Sequence, residues 1–200
     1  MQPTPRATVA ADLWRPSSQA HAVLVDVLLV LLGSLVVALS AQIAIPLWFS
    51  PVPVTAQSLA VVVVGSVLGA RRGALALIAY LVEGAVGLPV FAAGAAGVAR
   101  LLGPTGGYLL GFVAAAALTG WLAERGWDRR LPTSLLAMAA GMAILFVPGL
   151  LWLGAFVGHE RVLALGLWPF LPGAAIKLAV AAVLLPIGWR LAGRDRRTRA

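Results

Sequence analysis

The sequence has no cysteine, a single lysine and only two histidines among its 200 residues. The lack of cysteine excludes disulfide bonds, a thiol nucleophile and cysteine-ligated metal or iron–sulfur sites. His21 and His159 are far apart and no ligand pattern surrounds either one, so we expect no metal site. Walker A, GxSxG and HExxH motifs are also absent, which excludes ATP hydrolysis at a P-loop and leaves no catalytic constellation. We therefore predict a protein that is not an enzyme and has no cofactor.

Charged residues are also scarce. They make up 11% of the chain, against 61% apolar residues, and the mean hydropathy is +0.97. Soluble domains hold about 45–50% apolar and roughly 25% charged residues, so lipid must solvate most of this chain. The apolar runs lack the alternation of barrel strands, and unpaired backbone groups in lipid are costly, so helices are predicted. The net charge of +8 lies at the ends of the apolar runs, which indicates membrane orientation and not a nucleic-acid partner.

Six apolar runs follow one another, and each is interpreted as a span, although the second is short for the about 20 residues that a span needs. They cover residues 23–45, 55–70, 73–88, 105–123, 133–156 and 173–191. The predicted fold is an all-α membrane protein, a compact bundle of six transmembrane helices. Residues 1–20 are predicted to be a cytosolic N-terminal tail, residues 21–192 the six-helix domain and residues 193–200 a basic cytosolic tail. The sequence leaves open whether residues 162–170 form a separate interfacial helix.

The arginines give an independent check on the number of spans. With an even number both termini lie on one side, and cytoplasmic loops are enriched in basic residues. If that side is the cytoplasm, only Arg100 and Arg161 fall in outer loops. The other twelve lie in the tails and inner loops: Arg6, Arg15, Arg71, Arg72, Arg125, Arg129, Arg130, Arg190, Arg194, Arg196, Arg197 and Arg199. The sequence therefore predicts a multi-pass protein of the cytoplasmic membrane with both termini in the cytoplasm.

Lys177 and Glu83 are the charged residues that stand out inside apolar runs. Lys177, the only lysine, lies about five residues inside the sixth run, roughly 7 Å below its outer end. A charge inside the hydrocarbon is costly and therefore a candidate for function. The alternatives are that Lys177 snorkels to the headgroups, that the two residues form a structural ion pair, or that both line a ligand pocket. Tyr80 shares a helix face with Glu83, either for packing or beside that pocket.

Glycines are frequent and several are spaced by four, as in Gly65 and Gly69 or Gly103, Gly107 and Gly111. Small residues at this spacing let helix backbones approach closely, either inside the bundle or against a partner. Ser34 and Ala38 in the first run fit both interpretations. The loop at residues 90–100 is mostly alanine and glycine, so it is either a flexible ligand-binding loop or a passive connector.

Three stretches resemble the BioY family of biotin transporters. They are PVPVTAQ at residues 51–57 within a longer similar region at 41–92, LLGPTGGYLLGF at residues 101–112, and FLPGAAIKLAVA at residues 170–181. The resemblance implies a six-helix S-component of an energy-coupling factor transporter, with biotin bound near the outer face under the loops after spans one and three. It also implies a transmembrane coupling protein and a pair of ABC-type ATPases as separate chains, although some family members work without them.

The resemblance also implies roles for individual residues. Lys177 matches the lysine of the last motif and is expected to face the carboxylate of the biotin side chain. Glu83 is expected to accept hydrogen bonds from the ureido N–H groups, because an ionised carboxylate is only an acceptor. The predicted substrate-binding residues are Lys177, Glu83, Tyr80, Gly94, Phe91, Gln57, Thr55 and Tyr108.

The chain departs from the family pattern at two places. Ala174 stands where the family has an aspartate, and a lost charge-assisted hydrogen bond of this kind costs about 1.5–3 kcal/mol. The glycine pattern GGxGG of the loop has become AGAAG at residues 93–97. Biotin uptake is the predicted function. The alternatives are an S-component for another small carboxylated vitamin or metabolite, a membrane enzyme that acts on lipid or peptide, and a scaffold that only docks on partners.

Overall fold

The computed structural model describes residues 19–197, and the side chains of residues 19–189. Most of the predicted N-terminal tail and residues 198–200 lie outside this range, whereas residues 193–197 of the predicted basic tail continue the last helix. The described elements are α1 (Gln19–Gln42), β1 (Ala44–Leu47), β2 (Ser50–Thr55), α2 (Gln57–Leu68), α3 (Ala70–Ala85), α4 (Val98–Leu102), α5 (Gly106–Glu124), α6 (Leu131–Val157), α7 (Val162–Gly166) and α8 (Leu171–Arg197).

The described chain is mostly helical, as the apolar runs predicted. Four segments are long and apolar enough to cross a membrane, namely α1, α5, α6 and the stretch Val162–Trp189 that contains most of α8. Helices α2 and α3, with 12 and 16 residues, fall short of that length. The structure therefore agrees with a helical protein that crosses the membrane several times, and α2 and α3 are the two predicted spans that length alone does not support.

The break between α2 and α3 is a single residue, Gly69. The apolar runs predict this break at Arg71 and Arg72, but both arginines lie in the first turn of α3. Gly69 has φ +86°, a region that residues with a Cβ rarely adopt, so glycine permits the turn here. Glu124 of α5 accepts the N–H of Ala70 through Oε1 at 2.8 Å, which satisfies one of the unpaired donors at the start of α3.

A β-hairpin occupies the connection that was predicted to be a loop after the first span. Strands β1 and β2 pair antiparallel, with Ala44 opposite Thr55 and an irregularity between Ile45 and Leu47, where Pro46 lacks an N–H. Ser50 Oγ donates to Leu165 O at 2.7 Å and fixes the hairpin against the segment after α6. At its tip Trp48 is 96% exposed.

Short helical turns also interrupt the two other connections at this end of the bundle, the hairpin end. The predicted glycine-rich loop contains a 3₁₀ turn at Ala92–Gly94 and helix α4. Residues 162–170, left open by the sequence, form α7 and a 3₁₀ turn at Trp168–Phe170, so they are separate short helices. These three connections cover the end of the bundle where the polar residues of the site gather.

Small residues lie where the helices approach most closely. A Cβ built on Gly65 of α2 would be 2.4 Å from Ala116 O of α5, and one on Gly111 of α5 would be 2.8 Å from a backbone oxygen of α6. Ser34 and Ala38 of α1 are also buried inside the protein. These positions agree with the packing interpretation of the small residues, because each is covered by the chain itself.

Polar contacts hold the opposite end of the bundle, which we call the arginine end and which contains residues 69–72 and 125–130. Arg72 forms a salt bridge with Asp26 of α1 at 2.5 Å. Asp128 is buried between α5 and α6, and its Oδ2 accepts the indole N–H of Trp189 at 2.6 Å. Burial raises the pKa of the Asp128 carboxyl above its ordinary value. These contacts tie α1 to α3 and α8 to the turn before α6.

Candidate functional site

A cavity of about 690 Å³, partly open to solvent, lies at the hairpin end. Its lining comes from β2, the start of α2, the turn at Ala92–Gly94, α4, α5, α6, the turn at Trp168–Phe170 and α8. The lining residues are Val52, Pro53, Thr55, Gln57, Ser58, Phe91, Ala92, Arg100, Thr105, Tyr108, Leu109, Phe112, Leu145, Phe146, Phe170, Ala174 and Lys177.

The charged residues that line the cavity are all positive. Lys177 and Arg100 are its charged lining residues, and no aspartate or glutamate is among the lining residues. Lys177 Nζ donates to the backbone oxygen of Thr55 and, at 3.0 Å, to Ser58 Oγ. These bonds hold the ammonium against the end of β2 and the first turn of α2. An acid-free cavity with two cations favours an anionic ligand.

The structure does not pair the two intramembrane charges with each other. Lys177 and Glu83 share no salt bridge, so the structural ion pair considered from the sequence is wrong for this structure. Glu83 Oε2 instead accepts the hydroxyl of Ser34 at 2.5 Å, between α3 and α1. Glu83 is not among the residues that line the cavity, contrary to its expected place beside the ligand.

Tyr80 lies one layer behind the cavity wall. It is fully buried, and its hydroxyl accepts a hydrogen bond from Gln57 Nε2 at 2.6 Å. Its ring also contacts the ring of Phe91 edge to face, with 5.5 Å between centroids. Gln57 and Phe91 line the cavity as expected, whereas Tyr80 touches it only through them. Its place in the structure is therefore that of a support for two wall residues.

Tyr108 contributes to the wall of the cavity. Its hydroxyl donates to Gly166 O at 2.8 Å, which joins α5 to the end of α7. Its ring packs on Gly149, where an added Cβ would be 2.3 Å from the ring, and contacts Phe146 edge to face. The hydroxyl is therefore already hydrogen-bonded within the protein, and the ring is the part of Tyr108 that can contact a ligand.

Loop residues 91–97 are fixed by contacts within the protein. Phe91 packs on Gly84, where an added Cβ would be only 2.1 Å from the ring, and Gly97 N–H donates to Gly84 O at 2.7 Å. Gly94 has φ +73° and does not line the cavity. Ala93 has φ +57°, in the left-handed region that costs an L-residue about 1–2 kcal/mol. The alanine that replaces a family glycine here is therefore strained.

Three polar lining residues were not predicted from the sequence: Ser58, Thr105 and Arg100. Ser58 lies in the first turn of α2, next to Gln57 in the sequence and three residues after the end of β2 at Thr55. In the sequence, Arg100 stands out only as one of two arginines in the outer loops. The rarity of arginine in those loops is the signal that could have marked it as a candidate site residue. Ala174 does line the cavity, so its replacement of the family aspartate changes the wall itself.

The structure is thus that of a helical membrane protein with long apolar helices and a cavity at one end whose charged lining residues are cations. The profile of the BioY family matches residues 13–194, nearly the whole chain. The chain therefore belongs to the BioY family.

Curated relatives agree with this assignment, and a solved structure shares the fold. The chain is 41% identical over 166 residues to the biotin transporter BioY of Rhizobium etli, covering 79% of this chain and 89% of that protein. It is 38% identical over 159 residues to the probable biotin transporter BioY of Pyrococcus horikoshii, covering 80% and 93%. A crystal structure of the S-component for biotin from an ECF-type ABC transporter has the same fold, with a TM-score of 0.72, 23% identity, and coverage of 86% and 93%.

Proposed function

We propose that this protein is the substrate-binding subunit for biotin uptake across the cytoplasmic membrane, and that it captures biotin from the outer side. The observation that carries the proposal is the acid-free cavity with two cations at the hairpin end. Biotin combines a bicyclic system, in which a polar ureido ring is fused to an apolar sulfur-containing ring, with a carboxylate at the end of a flexible chain. The cavity offers matching chemistry, because four phenylalanines line it beside the cations: Phe91, Phe112, Phe146 and Phe170. The names of the relatives support the choice of ligand.

Individual roles follow from the contacts. Lys177, Gln57 and Thr55 present polar groups to the ligand, and the rings of Phe91 and Tyr108 pack against it. Tyr80, Glu83 and Gly94 act without touching the ligand in the conformation described. In that arrangement Tyr80 supports Gln57, Glu83 links α3 to α1, and Gly94 shapes the turn that carries Phe91.

The proposal includes six spans with both termini in the cytoplasm, and the lipid bilayer as surroundings. Helices α2 and α3 would then cross in about 18 Å and 24 Å, at 1.5 Å per residue, so the membrane must thin locally or the hairpin must complete the crossing. Twelve arginines on one side favour this orientation. A coupling membrane protein and a pair of ATPases, as separate chains, supply the energy.

The absence of cysteine allows a direct test of this topology. Trp48→Cys at the hairpin tip and Arg71→Cys at the arginine end each introduce the only thiol in the chain. In intact cells, a membrane-impermeant maleimide is expected to label the cysteine at position 48, and the cysteine at position 71 only after permeabilisation. Labelling of both sites from outside would show that α2 does not cross the membrane.

Purified protein is expected to bind labelled biotin saturably at micromolar concentration or below. Unlabelled biotin displaces the label, and lipoate, a carboxylate with a different ring and no ureido group, does not. Displacement by lipoate would favour the alternative of another carboxylated vitamin. Absence of binding at micromolar biotin would contradict the proposed function.

A further inference from the structure

The arginine end has an excess of positive charge on its surface. Its exposed arginines are Arg71, Arg125, Arg129 and Arg130. The acidic side chains described at this end are Asp26, Glu124 and Asp128. The first is engaged in the salt bridge with Arg72, the second in the bond to the N–H of Ala70, and the third is buried against Trp189. The acids of this end are therefore already engaged within the protein, and its surface favours an anionic partner.

Arg125 is held on an aromatic ring. Its guanidinium lies over Trp121, with 3.5 Å between Cζ and the ring centroid, and its Nη1 donates to Trp121 O at 3.1 Å. A guanidinium has five N–H donors around its planar edge, so stacking of its face leaves that edge accessible. The donors of Arg125 other than this Nη1 bond have no partner among the residues that the structure describes. They are available to an anion.

The contact between α3 and α5 brings Arg71 to the same place. Glu124 Oε1 accepts the N–H of Ala70 at 2.8 Å, and a Cβ built on Gly120 would be 2.4 Å from Ala70 N. Arg71 and Arg125 are each the residue that follows one partner of this hydrogen bond. Arg71 is exposed and forms no hydrogen bond or salt bridge within the described part of the chain. Two arginines with donors to spare thus flank one junction, which we call the α3–α5 junction.

An exposed apolar stripe on α3 leads away from this junction. Leu75, Ile78 and Val82 follow Arg71 by four, seven and eleven residues, a spacing that puts all four on one face of the helix. The three apolar side chains are 43%, 45% and 55% exposed. Beside the arginines, Trp121 is 44% exposed, and tryptophan concentrates at the level of lipid headgroups. A cationic junction next to an apolar stripe matches a molecule with an anionic head and an acyl chain.

We propose that the α3–α5 junction binds an anionic phospholipid, with its phosphate held by Arg71 and Arg125 and an acyl chain along the stripe on α3. Arginine suits this role because its planar fork can bind a phosphate through two parallel bonds. A zwitterionic lipid adds a cationic group that the arginines repel, so the site should select lipids with a net negative charge. The site lies at the opposite end of the bundle from the cavity and does not depend on the biotin function.

The test is lipid binding to the delipidated protein in a neutral detergent, counted by native mass spectrometry. The probes are dioleoylphosphatidylglycerol and dioleoylphosphatidylcholine, which have the same acyl chains and differ in net charge. Wild type should bind the anionic lipid about tenfold more tightly or better. Arg71→Gln and Arg125→Gln should each lose about fivefold for the anionic lipid, the usual effect of one basic residue near an anionic membrane surface, and leave the zwitterionic lipid unchanged. Arg125→Lys should recover part of the loss, because it keeps the charge without the planar fork.

Arg161→Gln is the matched control, because Arg161 is an exposed arginine at the hairpin end and its replacement removes the same charge. It should keep the lipid preference of wild type. Thermal unfolding in the same detergent should be unchanged in all these variants, because the replaced side chains are exposed. Equal binding of the two lipids by wild type, or an unchanged preference in the Arg71→Gln/Arg125→Gln double variant, would overturn the proposal and leave this surface to an acidic protein. Displacement of the lipid by millimolar inorganic phosphate would also overturn it, in favour of a soluble anion.

Discussion

Replacing Lys177 by alanine is expected to weaken biotin binding by about 100-fold, or about 2.7 kcal/mol. The change removes the donor that we propose faces the ligand, and it leaves the Thr55 oxygen and Ser58 Oγ without their Lys177 partner. Both groups lie where β2 leads into α2, so the wall that they form is also loosened. The expected effect is large because both losses occur in a partly buried site. Water there is a poor substitute for the hydrogen bonds of the ammonium.

Equilibrium binding of labelled biotin to the purified variant measures this effect. Ile176→Ala is a suitable control, because Ile176 is the adjacent residue of α8, is 67% exposed and does not line the cavity. Thermal unfolding of both variants shows how much of the loss comes from the altered wall. An affinity within threefold of wild type for Lys177→Ala would remove Lys177 from the binding site.

Gly65→Ala is expected to destabilise the bundle by about 3 kcal/mol or more, at the upper end of the cost of overpacking. The added Cβ would be 2.4 Å from Ala116 O, 2.4 Å from Thr119 Oγ1 and 2.7 Å from Ala116 Cα. Two of these three atoms belong to the backbone of α5, so no side-chain rotation can relieve the clash. Gly73 of α3 packs on Gly65 from another side, which blocks a shift of α2 away from α5.

Heating the detergent-solubilised protein and following its tryptophan fluorescence gives the unfolding temperature of this variant. Gly188→Ala is the matched control, because nothing lies within 4 Å of a Cβ at that position of α8. Alanine there should stabilise the helix by about 0.5–1 kcal/mol. Equal unfolding temperatures for the two variants would show that the α2–α5 contact is looser than described.

The main helices, and the position of Lys177 inside an apolar run, were predictable because both depend on local sequence. Long apolar runs bounded by arginine, proline or glycine mark α1, α5, α6 and α8 within a few residues. Lys177 is conspicuous because it is the only lysine and lies inside such a run. The family motifs then place it beside the ligand, and the structure has it on the cavity wall.

What sequence did not predict depends on tertiary contacts or on strands too short to recognise. Glu83 bonds to Ser34, 49 residues away, and nothing in the sequence of either segment indicates that pairing. The hairpin has strands of four and six residues with prolines in both, which is a weak signal beside long apolar helices. Arg100 joins the cavity only because α4 folds over the end of the bundle.

The described lining of the cavity includes no residue from α1 or α3. Substitutions of the lining residues themselves therefore fall on other elements, and the outer surface of α1 is untouched by them. Because distant sites with no shared partners contribute independently, a lineage can change what it imports while its contacts with lipid or with another subunit stay the same. Ala174, which lines the cavity where the family motif has an aspartate, is one position at which such divergence can act.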